Sequence, residues 1–163
     1  MPRRLIPLLL AACLLPALGR AACPGPVFRQ FDFWIGDWNV SDAGGKLIGR
    51  DRVERRYGGC ALEEHWTSVD GGTGASLSIY DLSRKLWHQT WVDSTGTLVV
   101  LEGGFKDGRM EMTGVMTGAD GKRVQDRMTW TPRDGKVRQH WETSSDGGKT
   151  WETVFDAVYT KAQ

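Results

Sequence analysis

The 163-residue sequence has few of the residues from which metal sites and covalent catalysts are built. It contains three Cys and three His, and none of them falls in a Cys-x-x-Cys, His-x-His or His-Glu-x-x-His spacing. It also lacks a Gly-x-Ser-x-Gly nucleophile elbow and a glycine-rich phosphate loop. We therefore expect no metal, no cofactor and no catalytic residues of these classes, and the sequence gives no positive reason to expect an enzyme.

An excess of one charge and long helical segments are missing too. The formal net charge is +1, and no basic patch is present that would neutralise phosphates. This argues against a nucleic-acid partner. After residue 35 no segment has a helical pattern of useful length, and no apolar run is long enough to span a membrane.

The first 22 residues have the three-part pattern of a secretory signal peptide. Arg3 and Arg4 give a positive start, residues 5–18 form an apolar run, and small residues follow at Gly19, Ala21 and Ala22. We expect cleavage near Ala22, with the site after Ala21 more acceptable than the one after Ala22. Residues 23–163 are then expected to form a single domain in the periplasm or outside the cell. The alternative is a lipid anchor, because Leu10-Ala11-Ala12-Cys13 is similar to a lipobox.

Two Cys, Cys23 and Cys60, remain after the leader is removed. An even pair of Cys in an exported chain is typical of a disulfide. We predict that they pair and tether the N-terminal arm to the Gly58-Gly59-Cys60 turn.

The rest of the chain repeats one unit, a run of about seven to ten β-forming residues followed by a turn rich in Gly and Asp. Asp-Gly turns between alternating runs are among the strongest hairpin signals. We count about ten sequential strands, preceded by a short helical turn within residues 27–34. Closing such a sheet removes both edges, so the pattern predicts an all-β, up-and-down antiparallel barrel. A barrel of this width commonly encloses a ligand cavity.

Alternation along the strands sorts the side chains into two faces. The tryptophan faces combine rings with amide or acid groups, a composition that is typical of a cavity with a few placed polar groups. In the last strand, alternation puts Trp151 on the same face as Thr153 and Phe155. We predict a ligand site built from Glu64, Trp66, Tyr80, Gln89, Trp91, Asp93, Gln139 and Trp141. His65, His88 and His140 each adjoin a Trp in sequence, so they are expected to face outward.

Two local motifs are similar to known ones. Residues 144–151, Ser-Ser-Asp-Gly-Gly-Lys-Thr-Trp, resemble the Asp-box of sialidases, in which the Asp binds turn amides and the Trp packs under the hairpin. The resemblance implies a hairpin between the last two strands rather than glycosidase activity. Gly36-Asp37-Trp38 resembles the Gly-x-Trp motif of lipocalins and other calycins, in which the Trp packs across the closed end of the barrel. Lipocalins place an Arg over that ring, whereas the last strand here ends with Lys161.

The chain over residues 28–160 also resembles a bacterial family of β-barrel proteins without an established reaction. The resemblance rests on the opening Phe-Asp-Phe-Trp-Ile-Gly-Asp-Trp (31–38), on Trp-His-Gln-Thr-Trp-Val-Asp (87–93) and on Arg-Gln-His-Trp-Glu (138–142). It implies a calycin-like barrel. From the tryptophan faces with their polar groups, our leading hypothesis is that this barrel binds a small apolar or aromatic ligand. The alternatives are a packed structural or interaction barrel, a haem or nitric-oxide binder like the nitrobindin-like barrels, and an enzyme that uses an in-barrel carboxylate.

Overall fold

The computed structural model describes residues 23–118 and 121–163. The predicted leader, residues 1–22 with Cys13, lies outside the described residues. The described part contains ten strands: β1 (Gly36–Asp42), β2 (Leu47–Arg56), β3 (Ala61–Ser68), β4 (Thr73–Asp81), β5 (Leu86–Asp93), β6 (Leu98–Lys106), β7 (Arg109–Thr117), β8 (Arg123–Arg133), β9 (Lys136–Ser144) and β10 (Glu152–Lys161). Short 3-10 helical turns cover Pro26–Arg29, Asp32–Trp34 and Tyr57–Gly59.

The strands form one closed antiparallel barrel in sequence order, and β1 pairs with both β2 and β10. The predicted up-and-down barrel of about ten strands is therefore confirmed, as is the helical turn near the N-terminus. None of the helices in the described residues has the length and apolar character that a membrane crossing requires.

Asp-Gly pairs make two of the tightest connections. Asp107 and Gly108 join β6 to β7 with φ values of 51° and 77°, and Asp134 and Gly135 join β8 to β9 with 52° and 74°. Positive φ at both central residues is the geometry of the two-residue turn whose twist matches antiparallel strands. The turn signals in the sequence thus correspond to real hairpins.

The N-terminal aromatic segment closes one end of the barrel. Phe31 and Trp34 are fully buried, and their rings stack with centroids 4.9 Å apart. Phe31 also meets Trp130 at 5.2 Å and Trp87 at 5.8 Å, both in edge-to-face contacts. Such aromatic contacts add to the hydrophobic gain from burying the rings. This segment is a plug that belongs to the core, and we call this end of the barrel the closed end.

Trp38 joins the plug to the barrel wall. Its indole N–H donates to the backbone oxygen of Trp34 at 2.8 Å, and the Nζ of Lys161 lies 3.7 Å from the centroid of its ring. The same Nζ donates to the backbone oxygen of Ile35 at 2.7 Å. Lys161 therefore lies over the Trp38 ring and ties it to the plug. Only glycine suits position 36, because its φ is +141° and a Cβ there would lie 2.1 Å from this amine.

The predicted disulfide between Cys23 and Cys60 is confirmed. It links the start of the plug to the turn between β2 and β3 at the closed end. Arg29 strengthens the same junction by donating to the backbone oxygens of Cys23 and Gly59. The plug is thus attached to the wall by covalent and polar contacts in addition to its rings.

We expect the double variant Cys23→Ser/Cys60→Ser to unfold more easily than the wild type, because the bridge constrains a stretch of 37 residues in the unfolded chain. Loops of this size predict a loss of about 2–4 kcal/mol in the free energy of unfolding. Urea titration followed by tryptophan fluorescence measures it. Reductant should destabilise the wild type equally and leave the double variant unchanged. A loss well under 1 kcal/mol would mean that the plug needs no covalent attachment.

Candidate functional site

A cavity of about 170 Å³ lies inside the barrel at the end opposite the plug. It is formed by the last residues of β3, β5 and β9 together with the first residues of β6 and β10. The four large rings that surround it are half-buried, so solvent reaches the cavity from this end. Its lining comprises Glu64, Trp66, Gln89, Trp91, Asp93, Val99, Met128, Gln139, Trp141, Phe155 and Tyr159.

The structure brings together seven of the eight side chains that the sequence assigned to a ligand site. Glu64, Trp66, Gln89, Trp91, Asp93, Gln139 and Trp141 all line the cavity. Tyr80 does not. It lies near the closed end, where its ring meets those of Trp87 at 6.0 Å and Phe28 at 5.9 Å. Alternation places Tyr80 on the correct face of β4 but says nothing about its height along the barrel axis.

Three tryptophans lean toward the open end in the same way. Each ring extends from its own strand over the preceding strand. There it covers the residue two positions away, toward the open end, from the residue with which the tryptophan is directly paired. Trp66 lies over Gly49, where a Cβ would come within 2.3 Å of its ring, and Trp91 lies over Gly74 at the same distance. In the third case the indole N–H of Trp141 donates to Asp126 at 2.8 Å. Each indole therefore has either a residue without a side chain or a hydrogen-bond acceptor beneath it.

Polar side chains between the rings and the plug form a hydrogen-bonded network. The Ser76 hydroxyl donates to Glu64, and the Gln89 amide donates to Ser76 at 3.3 Å and to Ser78 at 3.0 Å. All four residues are buried, and the bonds offset part of the cost of removing them from water.

The opposite wall carries a second set of bonds. The Tyr159 hydroxyl donates to the Gln139 side-chain oxygen, and the Gln139 amide donates to the sulfur of Met128 at 2.9 Å. Tyr159 is buried, and its burial together with the charges of Asp51 and Glu64 raises its pKa well above the ordinary value. The phenol therefore stays neutral and keeps its proton for Gln139.

Two buried carboxyl groups face each other across β2 and β3. Asp51 is only 3% exposed, and neither of its oxygens has a hydrogen-bond partner of normal geometry. Burial raises the pKa of Asp51, and the nearby charge of Glu64 raises it further. Burial also raises the pKa of Glu64, against the effect of the Ser76 hydroxyl, which lowers it. Two carboxylates cannot both be charged at low cost in such a site, so Asp51 holds its proton at neutral pH, and the pKa of Glu64 is raised to about 7.

Asp93 differs from these buried acids because it lies at the rim. The side chain of Thr95 and the backbone amides of Thr95 and Thr97 donate to it, which lowers its pKa to about 2. The carboxylate is therefore charged at neutral pH and stabilises the turn between β5 and β6. The cavity thus has a charged acid at its entrance and acids of raised pKa at its base.

Asp51 and Asp126 are the polar residues that the sequence reasoning missed. Asp51 lies among Arg50, Arg52 and Glu54, so the whole strand resembled a solvated surface. The available signal was the alternation of Gly49, Asp51 and Val53, whose burial shows that this is the inner face. The same signal was available for Asp126, which alternates with Met128 and Trp130 on the buried face of β8, although its contact with Trp141 on the neighbouring strand had none.

The three histidines lie on the outer face, as alternation predicts. His88 contacts Glu102 and Thr90, and His140 contacts Thr153, all on the outside of the barrel. No histidine lines the cavity. Within the described part of the chain, no three side chains of the metal-binding types come together as ligands.

The hairpin between β9 and β10 has the contacts that its Asp-box resemblance implies. Asp146 accepts bonds from the amides of Lys149 and Thr150, both at 2.9 Å, and from the Thr150 hydroxyl. The prediction that Trp151 shares a face with Phe155 is wrong. A β-bulge between Thr153 and Phe155 reverses the alternation, and Trp151 lies outside with the Arg127 guanidinium 4.1 Å from its ring centroid.

No protein-family model matches the chain, and no curated protein is significantly similar to it in sequence. The closed ten-strand barrel is consistent with a calycin-like fold. A functional conclusion therefore rests on the geometry of the cavity.

We expect Asp51→Asn to alter how stability depends on pH. The raised pKa means that folded Asp51 keeps its proton above about pH 4, where the unfolded side chain loses it. The free energy of unfolding therefore falls as pH rises, by up to about 1.4 kcal/mol per pH unit. Asn removes this contribution, so the variant should lose less stability than the wild type between pH 5 and pH 8.

Thermal unfolding at a series of pH values measures the effect. Asp37→Asn is the matched control, because Asp37 lies on the adjacent strand but is exposed. Parallel stability–pH curves for the wild type and Asp51→Asn would contradict the assignment of a neutral, buried Asp51.

Proposed function

We propose that this protein is an exported barrel that binds one small apolar or aromatic molecule in the cavity at its open end. The observation on which the proposal rests is the composition of that cavity. Trp66, Trp91, Trp141 and Phe155 surround a space of about 170 Å³, and buried polar groups lie at its base. Ligand sites in proteins are typically apolar and aromatic concavities with a few fixed polar groups.

The size of the cavity limits the ligand. An apolar cavity of about 150 Å³ in another protein is large enough for benzene. The present cavity of about 170 Å³ therefore suits a molecule with one ring or a compact branched group. A long lipid would have to leave most of its chain outside.

Export is supported by two features. The N-terminal 22 residues have a secretory pattern in the sequence, and the disulfide between Cys23 and Cys60 is of a kind that persists in oxidising compartments. The disulfide also lies at the closed end of the barrel, away from the proposed ligand cavity, so the plug is a stabilising element in this proposal.

Binding is tested with a panel of soluble single-ring and compact aliphatic compounds, monitored by tryptophan fluorescence in a Trp151→Phe background. Trp151 lies on the outer face, so its replacement removes a signal unrelated to the cavity. We expect saturable changes in fluorescence from the three cavity tryptophans. Val99→Phe should abolish them, because Val99 is buried in the lining and a larger side chain fills the space.

Val92→Phe is the matched control for Val99→Phe, since Val92 is half-exposed on the outside of the barrel. It should bind like the wild type. If no compound binds, or if both variants bind as the wild type does, the cavity is not a ligand site. The packed structural or interaction barrel would then be the better description.

A specific observation favours a second candidate, an enzyme that uses Glu64 as a general acid. Glu64 and Tyr159 line the same cavity, and burial raises the pKa of Glu64 toward the range that acid catalysis requires. Hydrolysis of a panel of chromogenic esters and glycosides tests it. Turnover that Glu64→Gln abolishes and Glu63→Gln preserves would support an enzyme, whereas binding without turnover would reject it.

A further inference from the structure

The hydrogen-bond donors that line the cavity are already engaged by the protein. The amides of Gln89 and Gln139 donate to Ser76, Ser78 and Met128, and the Tyr159 hydroxyl donates to Gln139. One of the ring donors is engaged as well, because the Trp141 indole donates to Asp126. The Trp91 indole contributes to the lowered pKa of Asp93. A ligand that presents only acceptors would find few partners here.

Acceptors, in contrast, are in excess. Asp126 is fully buried, and only one of its two oxygens has a partner, the indole of Trp141. Asp51 is protonated at neutral pH, so its buried carboxyl group is an unpaired donor as well as an acceptor. Glu64 accepts a single hydrogen bond, from Ser76, and lines the cavity directly. Buried acceptors without donors are costly, and a ligand that brings donors or positive charge would relieve that cost.

The charges around the cavity have one sign. The ionisable side chains in its lining are Glu64, Asp93 and Tyr159, and no basic residue belongs to the described lining. Asp51 and Asp126 add two further acids behind it. In the empty cavity Asp93 is charged at neutral pH, whereas burial favours the neutral forms of Glu64 and Tyr159. A cation would be attracted by Asp93 and would favour the ionised form of Glu64, whereas an anion would be repelled by Asp93.

The rings provide a second, independent attraction for a cation. The face of an aromatic ring carries negative electrostatic potential, and ammonium groups bind over such faces. Trp66 and Phe155 meet edge to face with centroids 6.3 Å apart, and Trp91 and Trp141 complete the surround. Three tryptophans and a phenylalanine around a small space with acids at its base form an aromatic cage.

We propose that the cavity selects a small organic cation, an ammonium compound with methyl or single-ring substituents, rather than a neutral molecule of the same shape. This inference rests on the proposed function, because it names the class of ligand for the same cavity. The apolar substituents contact the rings, while the charge is directed toward Glu64 in the lining. A trimethylammonium group fits the volume that the size argument allows.

The protonation of the buried acids also explains why the ligand-free cavity does not carry several uncompensated charges. Without a cation, burial raises the pKa of Glu64 to about 7, which favours its protonated form. The groups that face it are Asp51 from β2, Ser76 from β4 and Tyr159 from β10, and none of them is a cation. A bound ammonium ion favours the ionised carboxylate, so binding releases a proton. Affinity for a cation should therefore rise with pH across the range in which Glu64 titrates.

The test compares a cation with its neutral isostere. Choline and 3,3-dimethylbutan-1-ol have the same shape and differ in charge. Benzyltrimethylammonium is compared in the same way with a neutral ring compound of approximately its size, such as neopentylbenzene or tert-butylbenzyl alcohol. Isothermal titration calorimetry of each pair on the full mature protein gives the affinities. We expect the cations to bind at least about tenfold more tightly, as a cation in an aromatic site predicts.

Glu64→Gln should reduce this preference about tenfold while leaving the affinity for the neutral compounds within about twofold. Glu63→Gln is its matched control, because Glu63 is the neighbouring residue on the outer face and pairs with Arg56 at 2.6 Å. Trp91→Leu removes one ring and should weaken the cations more than the neutral compounds. Circular dichroism shows whether each variant is folded.

The outcomes separate the two proposals. Tighter binding of cations that depends on Glu64 and on pH supports the inference. Equal or tighter binding of the neutral isosteres overturns it and leaves the cavity as a site for neutral ligands. If neither cations nor neutral compounds of the panel bind, both the cation selectivity and the ligand-binding function are overturned.

Discussion

The antiparallel pairing of β1 with β10 is the interaction on which the rest of the structure depends. It extends from the pair Trp38 and Lys161 to the pair Asp42 and Ala157. Without it, a sheet of ten sequential strands would have two open edges and no interior. Once the sheet is closed, every second side chain is enclosed. The polar residues among them must then bind one another, which produces the network around Glu64, Gln89 and Gln139.

The enclosed space is divided along the barrel axis. At the closed end, Phe31, Trp34 and Trp130 fill the interior with ring contacts, and the disulfide and Lys161 hold the plug to the wall. At the open end, rings of the same kind lean aside and leave a cavity. The most conspicuous stretch of the sequence, residues 31–38, therefore stabilises the protein, whereas the cavity is assembled from side chains scattered over β3 to β10.

The sequence allowed much of this to be predicted, because turn signals and alternation are local. The Asp-Gly turns located the hairpins, and alternation selected seven side chains that share the cavity. The three failures each needed information that a local pattern lacks. Tyr80 required its height along the axis, Trp151 required the bulge before Phe155, and Asp51 required knowledge that its charged strand turns one face inward. The closure of the barrel settles all three.

Gly74 gives the cavity an unusual means of adjustment. The rings of Trp66 and Trp91 occupy the space where Cβ atoms at Gly49 and Gly74 would be. A side chain at Gly74 would first meet the Trp91 ring and would displace it, although Gly74 does not belong to the cavity lining. At Gly49 a Cβ would also lie 2.7 Å from the Thr67 backbone oxygen, so that position is fixed by the backbone as well. A lineage could therefore reshape what this barrel admits through a change on β4, while every residue that touches the ligand stays the same.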